Sequence, residues 1–201
     1  MGERLGVFGG TFDPPHVGHL VVAVNVRHAL DLDKVLLVVA NDPWQKSGGR
    51  AVSPAADRLA MVEAAVGEVD GLEASALEIE RGGASFTADT LAALLDGAPH
   101  RELFLIVGSD AARGLTSWDR VDAVRDMATV VVVTRPDGDV ATGDAVAPLP
   151  GWRWSEVQTP RLEVSSTDLR ARVVDGRPLD YLLTPPVIEC IERRGLYREG
   201  S

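Results

Sequence analysis

Apolar residues recur along this chain in two rhythms. Short runs with little polar alternation, Leu5 to Phe8, Lys34 to Ala40, Glu102 to Val107 and Thr129 to Thr134, read as strands buried on both faces, as parallel sheets require. Between them lie segments with helical spacing. His19 to Leu30 keeps Leu20, Ala23, Val24 and Arg27 in helical register until Asp31-Leu32-Asp33 breaks it. Ser53-Pro54 opens a helix from Ala55 to Val66, with proline at the first turn where its missing N–H does little harm. Leu72 to Ile79 mixes apolar and acidic residues and reads as short strand-like pieces ending at Arg81-Gly82-Gly83. Ser85 to Leu91 reads as a helix start, with Thr87 or Ser85 as its cap and Asp89 complementing the dipole. Trp152 to Gln158 reads as a short strand, and a last helix starts from Tyr181 and runs to Arg194. Residues 137–151 are rich in Gly, Pro, Ala and Asp without periodicity, a surface excursion rather than a linker. The succession predicts an α/β fold, a Rossmann-like doubly wound parallel sheet flanked by helices. The expected organisation is one domain over residues 1–201, with the segment from about 165 to 197 packed against the sheet.

Composition narrows the partners. A net charge of −10 over 201 residues argues against general nucleic-acid or anionic-membrane binding, both of which want a basic face. An anionic ligand must then be held by a local cluster of Arg, Lys, His and backbone N–H groups. Cys190 is the only cysteine, which excludes an internal disulfide and points to a reducing compartment; its apolar helical context, Val187 to Ile191, suits packing rather than catalysis. No leader pattern is visible at the start, and the longest apolar runs are far too short to span a bilayer. A cytoplasmic location is the expectation, with the oligomeric state left open, a homo-oligomer included.

The chemistry concentrates at Gly9-Gly10-Thr11-Phe12-Asp13-Pro14-Pro15-His16-Val17-Gly18-His19, the first strand-to-helix turn. Gly9 and Gly10 let backbone approach a ligand closely, and Thr11 adds a hydroxyl, a combination that suits phosphate. Asp13-Pro14-Pro15 delays the helix, which then begins near Gly18. His16 and His19, three residues apart, fall on one side of a helical turn and face the same anion as the helix N-terminus, where they can stabilise charge on a phosphoryl group in flight. A zinc site is the competing reading, yet His28, His100 and Cys190 supply no tidy third and fourth ligand. The stretch also lacks the G-x-G-x-x-G and G-x-x-x-x-G-K-[ST] patterns, against a hydride-transferring enzyme and a P-loop ATPase. A second cluster, Val164-Ser165-Ser166-Thr167-Asp168-Leu169-Arg170, has capping-box spacing between Ser165 and Asp168. Its three hydroxyls at a helix start form a phosphate cradle, with Arg170 as a charge-assisted donor. Asp110, after Gly108-Ser109, is a candidate helix cap, and Arg135 leaves the end of a strand towards the crevice mouth. Trp44 either covers the site as part of a lid or packs down.

GGTFDPxHxGH followed by [IV]-S-S-T-x-[IL]-R resembles the paired signatures of the nucleotidylyltransferase superfamily. Ser85-Phe86-Thr87-Ala88-Asp89-Thr90-Leu91 resembles the S-[YF]-T-x-D-T-L motif of one branch, the bacterial nicotinate-nucleotide adenylyltransferases of NAD biosynthesis. Matches at Arg58 to Met61 and at Tyr181-Leu182 extend the likeness over nearly the whole chain, residues 137–160 being its weakest part. The resemblance implies that ATP and nicotinate mononucleotide combine to deamido-NAD and pyrophosphate by direct in-line attack on the α-phosphorus. It implies that His16, His19, Lys46 and Arg170 serve catalysis, and that Gly9, Gly10, Thr11, Phe12, Gly108, Asp110, Arg135, Ser165, Ser166 and Thr167 bind ATP. Phe86, Thr87 and Trp118 then bind the nicotinate nucleotide, the carboxylate received by N–H groups at a helix start and the ring stacked on the indole. Mg²⁺ is expected on the ATP phosphates rather than in a protein cage. The alternatives are a nicotinamide-mononucleotide or phosphopantetheine adenylyltransferase, a non-catalytic nucleotide-binding module, and a hydrolase using the same cradle.

Overall fold

Six strands lie parallel in the order β3-β2-β1-β4-β5-β6 among the described residues of the computed structural model, which are 2–42, 52–134 and 147–198. They are β1 (Arg4–Gly10), β2 (Lys34–Val39), β3 (Leu72–Ser75), β4 (Glu102–Gly108), β5 (Ala128–Thr134) and β6 (Trp154–Gln158). The helices are α1 (Val17–Ala29), α2 (Ala55–Val66), α3 (Leu77–Arg81), α4 (Thr87–Asp96), α5 (Ser109–Arg113), α6 (Val121–Met127), α7 (Ser166–Asp175) and α8 (Pro185–Arg194).

The unalternated apolar runs do what their pattern predicts, because β1, β2, β4 and β5 each feed two cores. In β2, Val35, Leu37 and Val39 face a core shared with α1, α2, α7 and α8, while Val38 faces the opposite one with α4 and α6. β5 divides likewise, Val131 to the first core and Val130 and Val132 to the second. The chain winds outward from β1 through β2 to β3, then returns to the other side of β1 with β4. At that reversal the connections leave the carboxyl ends of β1 and β4 in opposite directions, which opens a crevice above them.

Three boundaries differ from expectation. Leu77 to Arg81 is helical rather than strand-like: β3 ends at Ser75, and the helical turn puts the Glu78 carboxylate where it accepts a hydrogen bond from the Thr90 hydroxyl (2.6 Å). Neither Ser85 nor Thr87 caps α4; Phe86 is the N-cap residue without a side-chain bond, and the Ser85 hydroxyl instead accepts from the Asn41 N–H (2.9 Å). The last helix starts at Pro185, because Tyr181 takes a left-handed backbone (φ 62°) and prolines 185 and 186 occupy the first turn.

Candidate active site

The loop after β1 packs inward before α1 begins. Phe12 adopts a left-handed backbone (φ 50°) and turns its ring back over Gly10, whose added Cβ would stand 2.7 to 2.9 Å from three ring atoms. A glycine is therefore required there. The Phe12 ring, only 3 % exposed, meets His19 edge-on with centroids 5.1 Å apart and Phe8 at 5.9 Å. His16 and His19 stack at 3.7 Å with their planes 23° apart. The His16 N–H donates to Nδ1 of His19 (3.1 Å), so a neutral His19 carries its proton on Nε2. Nδ1 of His16 is buried without a hydrogen-bond partner among the described residues. Burial, partly opposed by a backbone hydrogen bond, lowers the His16 pKa from 6.5 to about 4, so this ring is a neutral donor and acceptor at pH 7. Gly18 lets the first turn of α1 close on this ring and on Val164, since a Cβ would lie 3.0 Å from His16 Nδ1 and 3.1 Å from a Val164 methyl.

Two distant segments hold this loop. The Ser166 hydroxyl donates to the carbonyl of Pro14 (2.8 Å), and Arg170 donates from Nη1 to the carbonyl of Asp13 (2.7 Å) and from Nη2 to the Thr167 hydroxyl (3.1 Å). The histidine turn and the S-S-T-x-L-R helix thus form one body. Ser165 caps α7 by accepting from the Asp168 N–H (3.2 Å). The reciprocal half of the capping box is missing, because the Asp168 carboxylate pairs with Arg172 (2.6 Å) and Arg177.

Beneath the loop lies a polar framework that sequence reasoning passed over. Arg58, 1 % exposed, donates to the carbonyls of Ser53, Thr11, Ala40 and Asn41 at 2.7 to 3.1 Å, tying the ends of β1 and β2 to the start of α2. Burial pushes the guanidinium pKa down, and the nearby Asp13 carboxylate opposes that shift. Asp13, 3 % exposed, accepts from the Tyr197 hydroxyl (2.6 Å) and from the Ser53 N–H (3.3 Å). Burial first, and the bond to Asp13 second, push the Tyr197 phenol above its usual range, so it remains a donor. The sequence signals for this framework are that Arg58 interrupts an apolar helix face and opens the Arg58 to Met61 match, and that Asp13 sits within the motif.

A cleft of about 340 Å³ opens at the switch point between β1 and β4. Gly9, Gly10 and Thr11 form one wall, Gly108 and Ala111 another, Phe86, Thr87 and Glu78 a third, and Trp118 with Asp119 a fourth. The start of α4 carries no side-chain cap, and its positive dipole end, at Phe86 and Thr87, borders the cleft, where it favours an anion. Among the described residues no group of three or more His, Cys, Asp or Glu is placed to hold a metal ion.

Residues 7–172 match the cytidylyltransferase-like family. The chain is 42% identical over 196 residues to the probable nicotinate-nucleotide adenylyltransferase of Saccharopolyspora erythraea, covering 98% of this chain and 90% of that protein. It is 41% identical over 194 residues to the protein of the same name from Corynebacterium kroppenstedtii, covering 96% and 90%. It belongs to the nicotinate-nucleotide adenylyltransferase family. The fold is also that of the Plasmodium falciparum nicotinic acid mononucleotide adenylyltransferase complexed with NaAD, with a TM-score of 0.76 at 17% identity over 97% of each chain.

Within this family member the expected site residues fall into groups. Gly9, Gly10, Thr11, Gly108, Phe86, Thr87 and Trp118 line the cleft together. His16, His19, Ser165, Ser166, Thr167 and Arg170 form the adjoining body around the turn. The Phe12 side chain belongs to the core and supports His19 rather than presenting a surface to ligand. Asp110 does not line the cleft; its side chain is 97% exposed and pairs with Arg113. Trp44, Lys46 and Arg135 lie outside the described residues. No helix among the described residues is long and apolar enough to cross a membrane.

Proposed function

We propose that this protein joins ATP and nicotinate mononucleotide to give deamido-NAD and pyrophosphate, as the names of its relatives suggest. The observation that carries the reading is the continuity of the Gly9-Gly10-Thr11 wall, which belongs both to the cleft and to the turn bearing His16 and His19. Adenosine then lies against Gly108, the pyridine between Trp118 and the start of α4, and the α-phosphate beside the histidines. An oxygen of the mononucleotide 5′-phosphate forms a bond to the α-phosphorus of ATP as the bond to the bridging oxygen breaks and pyrophosphate leaves. A phosphate monoester is mostly dianionic at pH 7, so no general base and no covalent intermediate are needed.

The protein's share is positioning and charge stabilisation. Neutral His16 and the Nε2–H of His19 donate to the α-phosphate region. Arg170, Ser165, Ser166 and Thr167 hold the end that departs, with Lys46 adding charge and Arg135 bordering the adenine. The N–H groups of Phe86 and Thr87 receive the nicotinate carboxylate, an anion at a helix start. A divalent cation, Mg²⁺ in this proposal, would be held by the phosphate oxygens of the substrates and would supply charge neutralisation as pyrophosphate leaves.

Continuous measurement of pyrophosphate release tests this, with ATP and Mg²⁺ and four acceptor conditions: the acid mononucleotide, the amide, 4′-phosphopantetheine and none. Release that needs the acid mononucleotide supports the proposal. Equal release without an acceptor identifies a hydrolase, and ATP binding without turnover identifies a non-catalytic module.

A further inference from the structure

Two walls of the cleft come from elements that are not consecutive, and one arginine ties them. Arg120 opens α6 from a left-handed backbone (φ 47°), two residues after Trp118. Its Nη1 and Nη2 reach Oδ1 and Oδ2 of Asp89 at 2.5 and 2.8 Å, a two-point pairing, and its Nε reaches Oδ2 of Asp119 at 2.5 Å. Asp89 lies in the first turn of α4, two residues after Thr87. The same guanidinium stands 5.8 Å from the centroid of Phe86. Trp118 itself leaves a single 3₁₀ turn, Leu115–Ser117, donates its N–H to the Leu115 carbonyl (3.1 Å) and packs, partly buried, against the core that contains Leu115.

We propose that the Arg120–Asp89 pair is a positioning device that sets the separation between the Trp118 wall and the Phe86–Thr87 wall, and so governs capture of the pyridine nucleotide. This rests on the assignment of that subsite made above. The planar fork matters, since one guanidinium must meet two carboxylate oxygens on α4 while its third nitrogen restrains Asp119. Asp119 lines the cleft, and its carboxylate would otherwise repel an acidic ligand. A left-handed backbone at a non-glycine residue is unfavourable, and here it occurs at the residue whose guanidinium makes these pairings. The hydrogen bonds of Arg120 go to Asp89 and Asp119, which adjoin the Phe86–Thr87 and Trp118 walls, so the pair acts on the subsite those walls form.

Initial rates with each substrate varied separately test this on the wild type, Asp89→Asn, Arg120→Gln and the charge-exchanged double variant D89R/R120D, with melting temperatures in parallel. Each single variant should raise KM for nicotinate mononucleotide about tenfold, the scale of one lost charge-assisted contact, with KM for ATP and kcat within about twofold. The double variant should recover much of that loss, a result that a merely structural role would not produce. Single variants with an unchanged KM for the mononucleotide overturn the proposal. So does a parallel change in both KM values, kcat and melting temperature that the double variant does not relieve. Failure of the underlying assignment shows differently, as a wild type that turns over no pyridine mononucleotide, and overturns both.

Discussion

Gly9 and Gly10 are neighbours on β1, and their side-chain directions point to opposite faces of the strand. Replacing each by alanine therefore separates folding from binding. At Gly10 the new methyl would stand 2.7 Å from the nearest ring atom of Phe12, against the 3.4 Å at which ordinary contact begins. That ring is 3 % exposed and touches Phe8 and His19, so it can retreat only by moving its neighbours. Overpacking of this kind costs about 1–3 kcal/mol, and at about 2 kcal/mol a chain of this length loses about 4–8 °C in Tm. Displacing His19 by part of an ångström should also lower kcat by about 10- to 100-fold, because a misplacement near 1 Å costs on the order of 10². At Gly9 the new methyl meets nothing within 4 Å, yet the residue lines the cleft. Gly9→Ala should leave Tm within about 1 °C and raise KM for ATP, since the methyl occupies the space the ligand needs. Differential scanning calorimetry and steady-state rates on the two variants decide the matter. A Gly10→Ala protein with wild-type Tm and kcat, or a Gly9→Ala protein that melts early, would refute this account of the turn.

Tyr197→Phe removes the donor to a buried carboxylate and should lower stability by about 1–3 kcal/mol in chemical denaturation. Because the folded phenol titrates above its ordinary 10.0, the wild-type advantage should be constant below that pH and shrink as pH rises beyond it. His16 has the opposite sense: its folded pKa of about 4 lies below the unfolded 6.5, so the unfolded chain binds the proton first. Wild-type stability is then complete above pH 6.5 and falls by on the order of 3 kcal/mol as pH drops to about 4, a slope that His16→Gln should lack in pH-resolved denaturation. Trp118→Ala should raise KM for the pyridine nucleotide and leave that for ATP nearly unchanged in the pyrophosphate assay.

Local chemistry was legible in the chain because it depends on neighbours in sequence. Apolar runs marked the strands, and they proved buried on both faces as the absence of alternation demands. The glycines after β1, the paired histidines and the hydroxyl-rich start of α7 pointed to an anion site by residue type and spacing, and the fold brings the last two segments together. The tertiary structure decided what those groups spend their hydrogen bonds on. Ser166 and Arg170, read as ligands of phosphate, also grip the carbonyls of Pro14 and Asp13 across more than 150 residues of chain, a use that no local pattern encodes. Arg58 stood in the sequence as the first residue of the Arg58 to Met61 family match, yet its buried guanidinium must find acceptors, and the four carbonyls it reaches lie on three different segments. The Asp13–Tyr197 pair and the Arg120–Asp89 strap have the same origin. A buried or bridging polar group must be satisfied by whatever the fold brings alongside it, and only the path of the chain through space determines which partner that is.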